Sequence, residues 1–216
     1  MKNKLIKKLT ILLIVVMSSF SLISCGDDDT KTSTKKDSSI SQDKDEKDEK
    51  EDKDVDDQKD DAASFETQEI SLDECSFEIP KTWTEIETAV TAAKCYAPAD
   101  YDMTKGTSSV NIVINKNTGI KDANELMKAK DTLKSSITNL YSDATNFEFE
   151  ICSSNLGDAL TMSYVFTYND VTFNTIQYMM LTDDNYYVVT ATDIGDSISP
   201  SSVDVAKNLI STIKEK

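Results

Sequence analysis

The sequence predicts an α+β domain, an antiparallel β-sheet meander with flanking helices, over residues 65–216. Three observations carry this. Runs rich in Tyr, Phe, Thr and Val are separated by Asn169-Asp170 and by Asp183-Asp184-Asn185, clusters that tolerate turn geometry. Such short turns force antiparallel neighbours, because a parallel connection needs a crossover. Two other segments, one in mid-domain and one at the C-terminus, carry apolar residues at helical spacing behind capping residues.

A first strand is expected over residues 67–79, ended by Pro80, with Ile70, Leu72, Phe77 and Ile79 marking its inward face. A second fits residues 91–97. A third fits 108–115, where Val110, Ile112 and Ile114 alternate with Ser109, Asn111 and Val113. Asn117-Thr118-Gly119 then breaks the chain. Asp122 with Glu125 three residues on has capping-box spacing. Leu126, Leu133, Ile137 and Leu140 form one apolar stripe and predict a helix over 123–141, with Lys128, Lys130, Asp131 and Lys134 on its other side. Four strands follow, at 147–153, 157–168, 171–182 and 186–193. Ser199 is expected to cap a last helix that has Pro200 in its first position, with Val203, Ala206, Ile210 and Ile213 as its stripe.

The first 24 residues read as an export signal. Lys2, Lys4, Lys7 and Lys8 occur without an acid, and residues 9–17 are then almost purely apolar but too few to span a bilayer. The segment ends Leu22-Ile23-Ser24-Cys25, which resembles the lipobox of bacterial lipoproteins. That resemblance implies a diacylglycerol on the Cys25 sulfur, cleavage before it, and a protein anchored by lipid in the cell membrane on its extracytoplasmic side. Two acyl chains anchor stably where one does not. The other readings are an ordinary secretory signal or an N-terminal membrane helix. Residues 25–64 are expected to be a disordered tether: from Gly26 to Ser64 there are 16 acids and 8 Lys, with Ile40 and Val55 the sole large aliphatics. Such a stretch cannot bury enough apolar surface to offset chain entropy. As a flexible coil it spans about 35 Å, at about 5–6 Å × √n. An acidic tail that binds cations or a partner is the alternative.

Composition removes several chemistries. The formal charge is −16, every basic residue is Lys, and there is no His. Without His there is no imidazole base and no imidazole metal ligand; without Arg there is no bidentate clamp on phosphate. An acidic chain lacks the basic face that nucleic acid requires, so no nucleic-acid partner is expected. No oxygen-ligand loop with its defining Gly is present, and no metal or other cofactor is expected.

The run Phe77-Glu78-Ile79-Pro80-Lys81-Thr82-Trp83 resembles the "F-x-I-P-x-x-W" motif near the domain start of the PsbP-like superfamily. The later order is similar too: a mid-domain helix, a four-strand meander from Gly157-Asp158-Ala159-Leu160, a Tyr186-Tyr187-Val188-Val189 strand and a C-terminal helix, over about residues 66–216. The resemblance implies a central antiparallel sheet flanked by helices, used as an accessory or binding module. Photosystem members of that family assist a manganese–calcium cluster, and a nuclear relative binds a small GTPase.

Cys75, Cys95 and Cys152 remain as thiols of the domain. Cys75 and Cys95, on the first two expected strands, are the first choice for a disulfide, allowed in an exported protein; three reduced, buried cysteines are the alternative. Trp83 is either a core plug or a stacking platform for a ligand. Tyr164, Tyr178 and Tyr187, with Tyr168 and Tyr186, either line a groove or pack across strands. Asp183-Asp184 and the pair Asp193 and Asp196 are acids of the kind a hydrolase or cation site uses, or solvated turn carboxylates. No nucleophile elbow, P-loop, dinucleotide fingerprint or C-x-x-C occurs. The expected function is therefore a membrane-anchored extracytoplasmic lipoprotein, a non-catalytic interaction or accessory module with a protein or cell-envelope partner and no catalytic residue. The alternative is a lipoprotein that binds a small ligand or cation for a membrane complex, or a carboxylate-dependent envelope hydrolase.

Overall fold

In the computed structural model, residues 65–87, 93–101 and 107–216 are described. The expected signal peptide, the lipobox at Cys25 and the acidic tether all lie outside those residues.

The chain runs β1 (Thr67–Ser71), β2 (Cys75–Pro80), β3 (Trp83–Ile86), β4 (Ala93–Pro98), β5 (Ser109–Lys116), α1 (Ala123–Met127), α2 (Lys130–Leu140), β6 (Thr145–Ser154), β7 (Gly157–Tyr168), β8 (Val171–Leu181), β9 (Asn185–Asp193), α3 (Ser202–Thr212) and β10 (Lys214–Glu215). Seven strands form the main sheet in the order β3-β4-β5-β9-β8-β7-β6, and β1-β2-β10 form a small second sheet. Every pairing is antiparallel. The expected four-strand meander is β6 to β9. A second meander, β3 to β5, joins it through β5 against β9, so the connection through α1 and α2 crosses from β5 to the far edge.

Several elements correct the expectations. The first strand is a hairpin, broken where Leu72-Asp73-Glu74 folds back and Leu72 N donates to Cys75 O at 2.8 Å. After Pro80 the chain leaves the small sheet: Lys81 N donates to Glu66 O at 3.0 Å, and Trp83 opens β3 in the main sheet. The Gln68 amide bridges that step, donating to Trp83 O at 2.9 Å and to Pro80 O at 3.3 Å. The mid-domain helix is two helices, divided at Lys128 and Ala129. Asp122 does cap the first, accepting from Glu125 N at 2.8 Å, while Glu125 reaches back to Lys121 N at 2.9 Å. The division buries Leu126, Ala129, Leu133 and Ile137 together and leaves Leu140 exposed, although the unbroken stripe had included it. Ser201, and not Ser199, caps α3, accepting from Asp204 N at 3.1 Å.

The main sheet separates two cores. Alternate residues of its strands, among them Val113, Leu160, Met162, Tyr164, Phe166, Phe173 and Val188, meet Leu126, Leu133 and Ile137 of α1 and α2 on one face. Their neighbours, among them Val110, Ile112, Met180, Tyr187, Val189 and Ala191, meet Val205, Leu209 and Ile210 of α3, with Phe77 and Ile79 of β2, on the other. β9 is buried on both sides from Asn185 to Thr192, and its middle, Tyr186 to Val189, accordingly reads as a continuous apolar run.

Candidate functional site

The residues expected to contact a ligand do not converge. Trp83 is 2% exposed and plugs the α3 core beside β2. Tyr178 and Tyr187 belong to that same core, whereas Tyr164 points into the other one. Burial pushes the Tyr178 phenol up to about 12, aided by Cys152 and Asp204 nearby. Tyr187 is raised by burial and by its hydrogen bond to Glu215 Oε1, at 3.0 Å. Tyr164 is raised by burial and by Tyr141; Thr175 opposite it eases the shift, but no hydrogen bond of ordinary geometry closes between them. The first-core aromatics pack on one another: Phe166 stacks on Tyr141 at 4.1 Å and on Phe173 at 4.9 Å, the latter its cross-strand partner. Tyr168, at the β7–β8 tip, is exposed.

The expected Cys75–Cys95 bridge is not formed. Both are free, buried thiols. Cys75 lies in β2 of the small sheet and Cys95 in β4 of the main sheet, in different apolar clusters. The hairpin that would have placed them opposite each other is made within residues 67–80 instead. Burial pushes Cys75 up to about 11 and Cys95 to about 12; a hydrogen bond from Ser109 offsets a little of the latter. Cys152 is half-buried, with Thr161 Oγ1 donating to its sulfur at 3.2 Å.

The acid pairs serve turns. Asp183 and Asp184 are exposed. Asp193 Oδ1 accepts from Gly195 N at 2.6 Å, where Gly195 has φ +80°. Asp196 accepts from Ser108 N at 3.0 Å and from the Ser108 hydroxyl, and the Ser108 oxygen accepts from Ile194 N at 3.0 Å. These bonds tie the end of β9 to the start of β5. Among the described residues no group of three or more Cys, Asp or Glu side chains is gathered to hold a metal, and no helix is long and apolar enough to cross a membrane.

Concave features stand out at two places among the described residues. A cleft of about 530 Å³ lies between Phe65, Lys81 and Thr82 on one side and Ile198, Pro200 and Asp204 on the other, with the Lys81–Glu66 ion pair at 3.1 Å on its exposed rim. A shallower trough of about 250 Å³ runs past Glu148, Ser163, Val165, Asn174 and Ile176.

Sequence reasoning missed one polar arrangement. On the face that carries α1 and α2, Cys95, Asn111, Thr190 and Gln177 are successive register partners across β4, β5, β9 and β8. Ser109, Thr192, Thr175 and Tyr164 form the adjoining row across β5, β9, β8 and β7. All eight are buried. The signal was visible as polar residues at alternate positions of β5, β8 and β9, which reads as a solvated face.

The fold is PsbP-like. The solution structure of cyanobacterial PsbP (CyanoP) from Synechocystis sp. PCC 6803 aligns with a TM-score of 0.51 at 12% identity, covering 72% of this chain and 94% of that one. A crystal structure of a protein from Bacteroides thetaiotaomicron aligns with a TM-score of 0.48 at 14% identity over 66% of this chain; the match spans 45% of that longer protein. LpqN of Mycobacterium tuberculosis, involved in cell envelope biogenesis, aligns with a TM-score of 0.47 at 9% identity, covering 70% of this chain and 91% of that one. No protein-family model matches the sequence, and a search of curated proteins finds no match.

Proposed function

We propose that the protein is an extracytoplasmic lipoprotein, held to the cell membrane through Cys25, that works as a non-catalytic interaction or accessory module. The acidic segment of residues 26–64 lifts the domain off the lipid surface toward a protein or cell-envelope partner. One observation carries this reading: the aromatic and thiol side chains with the most chemical potential are spent on the fold. Trp83, Tyr164, Tyr178 and Tyr187 and two of three domain cysteines fill cores, and Asp193 and Asp196 fasten turns. What faces outward is sheet edge, hairpin tip and open cleft, which leaves those surfaces for another molecule. Fold alone does not fix function, so the reading is tested in membranes. Cells expressing the wild type and Cys25→Ala are labelled with a palmitate analogue, fractionated and cross-linked. The expected result is a labelled membrane protein cross-linked to one partner species, with label and partner both lost in Cys25→Ala. A labelled protein in the membrane that forms no cross-link overturns the interaction role; unlabelled wild type overturns the anchor.

A further inference from the structure

The main sheet ends at β6, and among the described residues no strand pairs with its outer side. The edge strands β3 and β1 are short, with four and five residues. β6 has ten. Its ladder with β7 is irregular between Thr145 and Glu148, then runs in unbroken register from Glu148 to Ser154. That stretch holds no Pro and no Lys, two residues that commonly blunt an edge. α1 and α3 approach β6 from the two faces of the sheet and leave its rim open. Such an edge presents unpaired N–H and C=O groups, a template for one more strand.

The side chains select the strand that fits. Phe147, Phe149 and Ile151 lie on the face of α1 and α2; the two Phe are half-buried against that core, and Ile151 is 38% exposed. Glu148 and Glu150 lie on the opposite face, both exposed. Their partners on β7 are Ser163 and Thr161, and neither acid joins an ion pair among the described residues. The trough past Glu148, Ser163 and Asn174 keeps that side of the sheet uncovered. An added strand meets the two faces at alternate positions. Lys or Arg beside the two Glu makes opposite-charge cross-strand pairs, and β-branched residues beside Phe149 and Ile151 make apolar ones. A second copy of this chain does not fit. A two-fold pairing about Phe149 sets Glu148 against Glu150, and one about Glu150 sets that acid against itself, between chains of charge −16. The acids thus bar self-pairing and leave the edge to a basic strand.

We propose that β6 is a docking edge for an extended segment of a partner protein in which basic and apolar side chains alternate, added beside Glu148–Ser154 as a further strand of the main sheet. This rests on the interaction-module reading and gives the partner its chemistry.

The test uses the full chain and three end-blocked peptides: Thr-Lys-Val-Lys-Val-Lys-Val-Thr, the same composition with its lysines in one block, and the alternating peptide with Glu for Lys. The acidic segment of residues 26–64 attracts any Lys-rich chain, so the block peptide measures that background. Amide exchange reports where a peptide sits. The alternating Lys peptide is expected to bind the wild type about tenfold more tightly than the block peptide and to slow exchange within residues 148–154. Glu148→Lys/Glu150→Lys is expected to lose that preference and to bind the Glu peptide better than the wild type does; if this variant fails to fold, the wild-type measurements decide. Equal binding of the two Lys peptides, or protection that falls outside β6, overturns the proposal. A folded variant that keeps the preference, or that binds the Glu peptide no better than the wild type, also overturns it. Failure here with a partner still cross-linked in membranes removes the edge and keeps the interaction role.

Discussion

Glu215 and Asn185, thirty residues apart, meet at the end of the main sheet, where Asn185 Nδ2 donates to Glu215 Oε1 at 2.7 Å. The same oxygen accepts from Thr182 Oγ1 at 2.7 Å and from Tyr187 OH at 3.0 Å, and Lys116 Nζ donates to Asn185 Oδ1 at 3.0 Å. One carboxylate thus fastens the two-residue strand β10 to the β8–β9 turn, while β10 pairs with β2. Slight burial raises the Glu215 carboxyl, but the hydrogen bonds and Lys116 outweigh it and hold it below its ordinary value.

A carboxyl lowered in the folded state stabilises above its unfolded pKa, about 4.3, and that contribution is lost as pH falls through the folded value. Glu215→Gln is therefore expected to lower the urea midpoint at pH 7. The gap to the wild type should close below about pH 4. Urea titrations of both proteins across this range check it; a gap independent of pH would remove the carboxylate's charge from the account.

Trp83→Ala is expected to cost about 3–5 kcal/mol, the range for emptying a large buried aromatic site. The wild-type emission should be blue-shifted, as for an indole out of water. Chemical unfolding and fluorescence check the pair. A loss below about 1 kcal/mol with solvated emission would place the ring at the surface.

The three domain thiols are expected to stay unpaired in the purified domain. Cys75 and Cys95, raised to about 11 and 12 by burial, should resist alkylation at pH 8 in the native state and react fully in denaturant, since the thiolate is the nucleophile. Half-buried Cys152 should react first. Mass mapping after timed alkylation gives the order, and a Cys75–Cys95 peptide pair would contradict the structure.

Asn169 and Asp170 join β7 to β8 with φ of +49° and +63°, as a type I′ turn requires, between paired Tyr168 and Val171. Asp170→Gly is expected to raise stability by a few tenths to about 1 kcal/mol, because Asn-Gly is the favoured pair for this turn. Asp170→Val should lower it by about 1–2 kcal/mol, a β-branched residue being strained there. Urea midpoints of the two variants should move in opposite directions.

That turn was legible in the sequence, and with it β7, whose bounds fall where the alternation and Asn169-Asp170 put them, and β8 and β9 to within a residue. Asp122 was legible for the same reason: capping is local chemistry. What stayed hidden was set at a distance. Nothing near residues 72–74 marks a reversal except two acids. β3 and β10 are four and two residues long, too short to show a period. The placing of β5 against β9 depends on the whole sheet. At the candidate site, the types and parity of Ser109, Asn111, Thr190 and Thr192 were readable, but their burial was not: a polar alternation looks the same whether water or protein lies above it.

The burial of β9 on both sides makes the main sheet a party wall. Val188 faces one room and Val189 the other, so truncations on the two sides open space in separate clusters. Losses of volume on the two sides should then add, as they do for sites without common partners. Each room is free to drift in sequence, and to be refurnished, while the partition between them stands.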